Sequence, residues 1–166
     1  MKRTILVASI FLVFGCSSKP DKSSIPDYST KWEKLLGEYI KKPVDIEINR
    51  GLEPVVGNPA FNYQVAISVP VESPMENGLP GEMEEPQLEK LQRKLEKELV
   101  EEKTTVFAAV IKTDRKCDFI FYSGDRKAAQ AKLDQLGETV NGYTLDKTIK
   151  RDDKWVTYTW FSQWKN

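Results

Sequence analysis

Three sets of residues in this chain carry side chains that could do chemistry: the cysteines Cys16 and Cys117, the acidic run Glu82, Glu84, Glu85 and Glu89, and a C-terminal aromatic cluster. The acidic run would suit a hard cation such as calcium, which takes several carboxylate oxygens. It would equally suit the solvated start of a helix, where the dipole favours negative charge, and it lacks the Asp/Asn-Gly spacing of a calcium loop. Cys117 follows Arg115 and Lys116, charges that favour a reactive thiolate. Yet it also opens the apolar run CDFIFY, where an unpaired cysteine packs as a small hydrophobe. The closing cluster holds Trp155, Tyr158, Trp160, Phe161 and Trp164. Its rings would stack on a sugar or a peptide, meet a partner protein, or close the core over a sheet. Tyr158, Trp160 and Trp164 are the binding candidates, with Trp164 expected to be exposed, while Trp155 and Tyr158 are expected to pack as internal cover.

The chain has no histidine. That removes the commonest general base, the commonest metal ligand and the near-neutral pH switch together. Carboxylate, tyrosine, lysine or Cys117 chemistry is left, and no catalytic set, metal site or cofactor is expected. With 25 basic and 25 acidic residues, the chain offers no broad electrostatic footprint for nucleic acid.

Cys16 has a clearer chemistry. Lys2 and Arg3 precede an apolar run from Ile5 to Phe14, then Gly15 and Cys16. A run of about ten residues at ~1.5 Å each covers half of a ~30 Å hydrocarbon core, which suits export better than a permanent span. Val13-Phe14-Gly15-Cys16 resembles the lipobox cut by the lipoprotein-specific signal peptidase, whose product carries diacylglycerol on the cysteine. Residues 1–15 therefore read as a lipoprotein signal, and Cys16 as the anchor in a bilayer. Ser17 stands where an aspartate would resemble an inner-membrane retention signal, so the outer membrane is favoured if the cell has one. Acylated Cys16 leaves Cys117 with no intramolecular disulfide partner.

The elements that must position the remaining groups follow from periodicity. Residues 16–30 comprise the lipidated cysteine and a Ser-, Lys-, Asp- and Pro-rich tether with a root-mean-square span of roughly 20 Å. Residues 31–166 form one domain. Between Trp32 and Ile40 a helical stripe and a strand are both open, whereas Val44, Ile46 and Ile48 alternate as a strand. Residues 62–69 alternate without error, and residues 70–86, with four prolines, form a loop. Leu88, Leu91, Leu95 and Leu99 mark an amphipathic helix with Pro86 in its first turn. Residues 104–112 and 117–122 form a hairpin about the 113–116 turn. Ala129, Leu133 and Leu136 give a second helix, capped by Ser123 or Asp125 and ended at Gly137. Residues 143–150 read as a strand, and residues 155–161 suit a short helix or a strand.

Strand, helix, strand, strand, helix, strand is a twice-repeated split βαβ pattern. It predicts an α+β ferredoxin-like sandwich, with two helices on one face of an antiparallel sheet and extra N-terminal strands. In the 104–112 strand, Val106, Ala108 and Val110 alternate with Phe107, Ala109 and Ile111, so both faces need cover. The helices cover one. The other is left to the N-terminal segment, the C-terminal aromatics or a partner, with any uncovered remainder as a binding surface.

Over about residues 32–161 the chain resembles domain of unknown function 695. The landmarks are Trp32, Lys42-Pro43, Glu47-Ile48-Asn49, Gly78-Leu79-Pro80, Glu84-Glu85 with the leucine helix, Phe119-Ile120-Phe121-Tyr122, and Asp153-Lys154-Trp155 with Tyr158. The resemblance implies a fold related to the ribonuclease E regulator B proteins and supplies no catalytic residues. Inhibition of that cytoplasmic enzyme does not suit an exported chain. The leading expectation is a non-enzymatic envelope lipoprotein that binds a protein or peptide. The alternatives are a hydrolase using carboxylates of residues 72–89, and a small-ligand or glycan binder using the C-terminal aromatics.

Overall fold

The open choice at residues 32–40 resolves as a strand. β1 (Trp32–Tyr39) pairs antiparallel with β2 (Lys42–Asn49), Leu35 opposite Ile46 and Gly37 opposite Val44. A helix here would leave one hydrogen-bonding edge of β2 without a partner, whereas β1 satisfies it residue by residue. Ile40 and Lys41 make the turn at φ 51° and 60°, the conformation a two-residue hairpin turn requires. The computed structural model that shows this describes residues 25–164, so the signal segment, Cys16 and the tether up to residue 24 lie outside the described residues. The described end of the expected tether is pinned to the domain at two residues: Ile25 is buried, and the Tyr28 ring meets Phe61 edge-on at 6.0 Å.

Two 3-10 turns, Arg50–Val55 and Pro59–Phe61, follow, capped by the side chains of Asn49 and Asn58. β3 (Tyr63–Pro70) leads through the proline-rich loop to α1 (Glu85–Leu99), which buries Leu88, Leu91, Leu95 and Leu99 as their spacing requires. β4 (Thr105–Thr113) and β5 (Lys116–Ser123) form the expected hairpin. Asp125 caps α2 (Arg126–Leu136) by accepting from the Lys127 and Ala128 amides. Gly137 then ends it at φ 73°.

The strand expected at 143–150 is interrupted at Leu145. β6 (Thr139–Val140) and β7 (Tyr143–Thr144) make a small hairpin about Asn141-Gly142, both at positive φ, and only β8 (Asp146–Arg151) joins the main sheet. Asn-Gly is the strongest short hairpin signal and favours this turn over a continuous strand. α3 (Val156–Ser162) settles the C-terminal choice as a helix.

The architecture is α+β, with a six-stranded sheet in the order β1-β2-β4-β5-β3-β8 and antiparallel neighbours. α1 and α2 pack with Val65, Ile67, Val69, Phe107, Val110, Phe119 and Phe121 on one face. The opposite face, carrying Val44, Ile46, Ile48, Ala109, Ile111, Ile120 and Tyr122, is covered by the Leu52–Phe61 stretch and by Trp155, Tyr158 and Phe161. Trp32, in the N-terminal segment expected as cover for that second face, instead meets Phe107 on the helix side at 5.0 Å. The register shifts between Phe107 and Ala109. Ala108 is therefore an extra residue, and the strict alternation expected along β4 fails there: Ala109 sits with the second face and Val110 with the helices.

Candidate functional site

α3 is fixed at its start by a closed set of contacts. Asp152 accepts a 3.0 Å bond from the Tyr122 hydroxyl and takes the Val156 amide, serving the first turn of the helix. Trp155 adopts φ 52° and is 0% exposed. Its ring stacks on Tyr122 at 3.8 Å, and its Nε1 donates to the Phe61 carbonyl at 2.7 Å. The Tyr158 hydroxyl donates to the Asn49 carbonyl at 2.9 Å. Burial, then the Asp152 charge, holds the Tyr122 hydroxyl above its ordinary range, so it remains a donor.

Beyond this anchor α3 leaves part of the sheet open. A groove of about 370 Å³ lies between the helix and the turn end of the strands. Ile111 and Thr113 of β4 and Asp118 of β5 line it from the sheet, Val156, Thr157, Trp160 and Phe161 from the helix, and Tyr39 from β1. The Tyr39 ring meets Trp160 at 6.3 Å and Phe161 at 5.9 Å, both edge-on. Trp160 is 55% exposed and Val156 is also largely in solvent. The residue at the adjacent turn, Ile40, is 76% exposed and sits at a positive φ that a β-branched side chain rarely adopts. The volume falls within the range of ligand pockets, and the composition, apolar walls with one charged group, is theirs as well.

Asp118 is that charged group. In register it stands between Ile111 of β4 and Ser68 of β3, and Ser68 in turn faces Asp146 of β8. Burial holds its carboxyl above the ordinary aspartate range; the Ser68 hydrogen bond and Lys116 pull it down, and Asp146 adds to the rise. Among the described residues no salt bridge reaches it.

The groove residues from Tyr39 to Phe161 all fall inside one family match, in which the model of a family of unknown function, DUF695, covers residues 30–162. The chain belongs to the DUF695 family. No curated protein and no solved structure matches it. In this DUF695 chain the candidates of the aromatic cluster part company. Trp160 lines the groove, whereas Tyr158 is buried with its hydroxyl committed to Asn49. Trp164, expected to be exposed, lies half-buried against Gly37, where an added Cβ would come within 2.5 Å of its ring. Arg50 donates to the Trp164 and Ser162 carbonyls and holds that end of the chain.

The acidic run divides. Glu82 and Glu89 are exposed, but Glu84 is only 3% exposed. It accepts from the Glu72 and Ser73 amides at 2.7 Å each and from the Tyr143 hydroxyl at 3.1 Å, pinning the proline-rich loop. Glu85 pairs with buried Lys112 at 2.8 Å, and Glu47 joins the same ammonium at 3.2 Å. Burial alone would lower the Lys112 pKa; Glu85, Glu47 and Asp45 outweigh it and the ammonium stays charged. Thus two of the four carboxylates are structural clasps between elements, which a solvated helix start does not describe. Among the described residues no group of acidic or thiol side chains could hold a metal ion. Of the loop carboxylates named for a hydrolase, Glu84 and Glu85 are engaged in these contacts. Cys117 is fully buried, and burial pushes its thiol well above the usual range, which opposes a thiolate despite Arg115 and Lys116.

Tyr39, Ile111, Thr113, Asp118 and the α3 residues beside Trp160 are the site residues that sequence reasoning missed. One signal was available. Asp118 is the single charged residue in CDFIFY, and a carboxylate between apolar strand positions needs either a partner or an opening.

Proposed function

We propose that this chain is an envelope lipoprotein, held to a bilayer through acylated Cys16, whose domain binds a peptide segment of a partner protein in the groove beneath α3. The observation that carries this reading is the pairing of exposed Trp160 and Tyr39 over a cleft with a half-buried carboxylate. The groove lies at the Tyr39 end of β1, the end opposite Trp32, and the tether expected behind Cys16 would leave it free to meet a partner. No helix of the described residues is long and apolar enough to cross a membrane, which is compatible with a lipid anchor carrying the attachment.

The same reading takes the core as a ferredoxin-like sandwich extended by β1 and β2. The order β4-β5-β3-β8 within the sheet, with α1 and α2 on one face, supports it. Ser17 after Cys16 favours the outer membrane in a cell that has two.

Two experiments test the proposal. Cys16→Ser is expected to abolish palmitate incorporation and release the chain from membranes; unchanged labelling would contradict the anchor. Peptides selected from a random library on the full-length chain in nanodiscs are expected to lose binding to Trp160→Ala. Peptides that bind this variant as they bind the wild type would contradict the groove reading.

A further inference from the structure

We propose that the groove is selective for a peptide presenting a lysine or arginine between apolar residues, the cationic head seated on Asp118. The inference rests on the peptide-binding reading of the groove and adds what the groove recognises. Its first support is charge. Asp118 is the charged residue lining an otherwise uncharged cleft, hydrogen-bonded to Ser68 and without a salt bridge among the described residues. A carboxylate taken partly out of water without a counterion is costly, and a cation brought by a ligand repairs that deficit.

The second support is what surrounds the carboxylate. β4 contributes Ile111 and Thr113, α3 contributes Val156, Thr157 and Trp160, and β3 contributes Ser68, none of them charged. The charged neighbours are Lys116, exposed at the start of β5, and Asp146 across Ser68 on β8. The two act in opposite directions on Asp118, Lys116 favouring its charged form and Asp146 opposing it, so the carboxylate itself is the charge the groove offers a ligand.

Shape supplies the third support. Lysine and arginine carry an apolar stem behind a charged head, so a cleft with apolar walls and one carboxylate in its lining fits both parts at once. Trp160 and Tyr39 flank the mouth, where ring faces attract a cation and cover its methylenes. Flanking apolar residues of the peptide would meet the exposed side chains of Val156 and Ile40.

The test uses the full-length chain in nanodiscs and short blocked peptides, apolar on both sides of a central Lys, Arg or Gln, with Kd measured by calorimetry. Lys and Arg peptides are expected to bind about tenfold more tightly than the Gln peptide. Asp118→Asn, which keeps the acceptor for Ser68, is expected to erase that preference while leaving the Gln peptide unchanged. Trp160→Ala is expected to weaken all three. If all peptides bind in a Trp160-dependent way and Asp118→Asn changes nothing, the cation proposal is overturned and the groove reading stands. If no peptide binds, both are overturned. Binding of phosphatidylcholine vesicles in place of peptides, lost in Asp118→Asn, would overturn the peptide as the source of the cation.

Discussion

Asp152 and Asp118 both serve the sheet face that α3 covers, each near a tryptophan of the C-terminal segment, and they differ in what surrounds their oxygens. Asp152 receives the Tyr122 hydroxyl and the Val156 amide, and the neighbouring Trp155 is sealed between Tyr122, Phe61 and Tyr158. Asp118 has the Ser68 hydroxyl, and Trp160 above the groove is largely in solvent. Five residues along the chain convert one ring from packing to surface. The difference separates two uses of the same residue types. Where each polar atom has a partner and each ring is dry, the cluster stabilises the fold; where a carboxylate has no salt bridge among the described residues and a ring is wet, the surface is the one proposed to receive another molecule.

The most severe way to break this comparison is Trp155→Ala. Losing a fully buried indole, its stacking on Tyr122 and its bond to Phe61 is expected to cost about 4 kcal/mol in urea unfolding of the full-length chain. A loss below about 1 kcal/mol would mean that the closed end does not hold α3. Asp152→Ala comes next. It leaves the Tyr122 hydroxyl and the Val156 amide unserved, and about 2 kcal/mol is expected in the same assay. An equal loss from Asp118→Ala would erase the distinction between the two carboxylates.

Asp118→Asn sharpens the comparison with a smaller effect of opposite sign. Burial holds the Asp118 carboxyl above its ordinary range, so the folded chain keeps that proton more readily than the unfolded chain. The resulting stability is fully present below the unfolded pKa and is lost as pH rises through the folded one. Asn removes the loss. Its melting temperature is therefore expected to exceed that of the wild type at neutral pH, with the gap narrowing as pH falls through the folded pKa and closed by the unfolded value of about 4. A variant less stable than the wild type at neutral pH would show Asp118 to be structural.

Much of the scaffold was legible in the sequence because local pattern and final packing agree. The alternation of residues 62–69, the leucines of α1 and the hairpin turn after Thr113 each point to one element, and the fold uses each that way. β1 was ambiguous because Leu35, Leu36, Tyr39 and Ile40 satisfy a helical stripe as well as a strand, and only pairing with β2 decides. The bulge at Ala108 left no trace, since a strand apolar on both faces shows no change when its register slips. Asn141-Gly142 did leave one, and it divides residues 139–151 into a small hairpin and a sheet strand.

The site was less legible than the fold. Trp160 stood out by composition and position. Its companions Tyr39, Ile111 and Asp118 are scattered along the chain and meet through the strand order, which no local window contains. Glu84 misled for a related reason: its partners, the amides of Glu72 and Ser73 and the hydroxyl of Tyr143, come from a loop and a strand that local pattern does not bring together.

The central claim is that the open end of this face recognises and the closed end stabilises. Trp160→Ala tests it most directly, with unfolding and Lys-peptide affinity measured on the same preparation. The account predicts an unfolding free energy within about 0.5 kcal/mol of the wild type together with loss of peptide binding. A variant that unfolds more easily and still binds the peptide as the wild type does would contradict it.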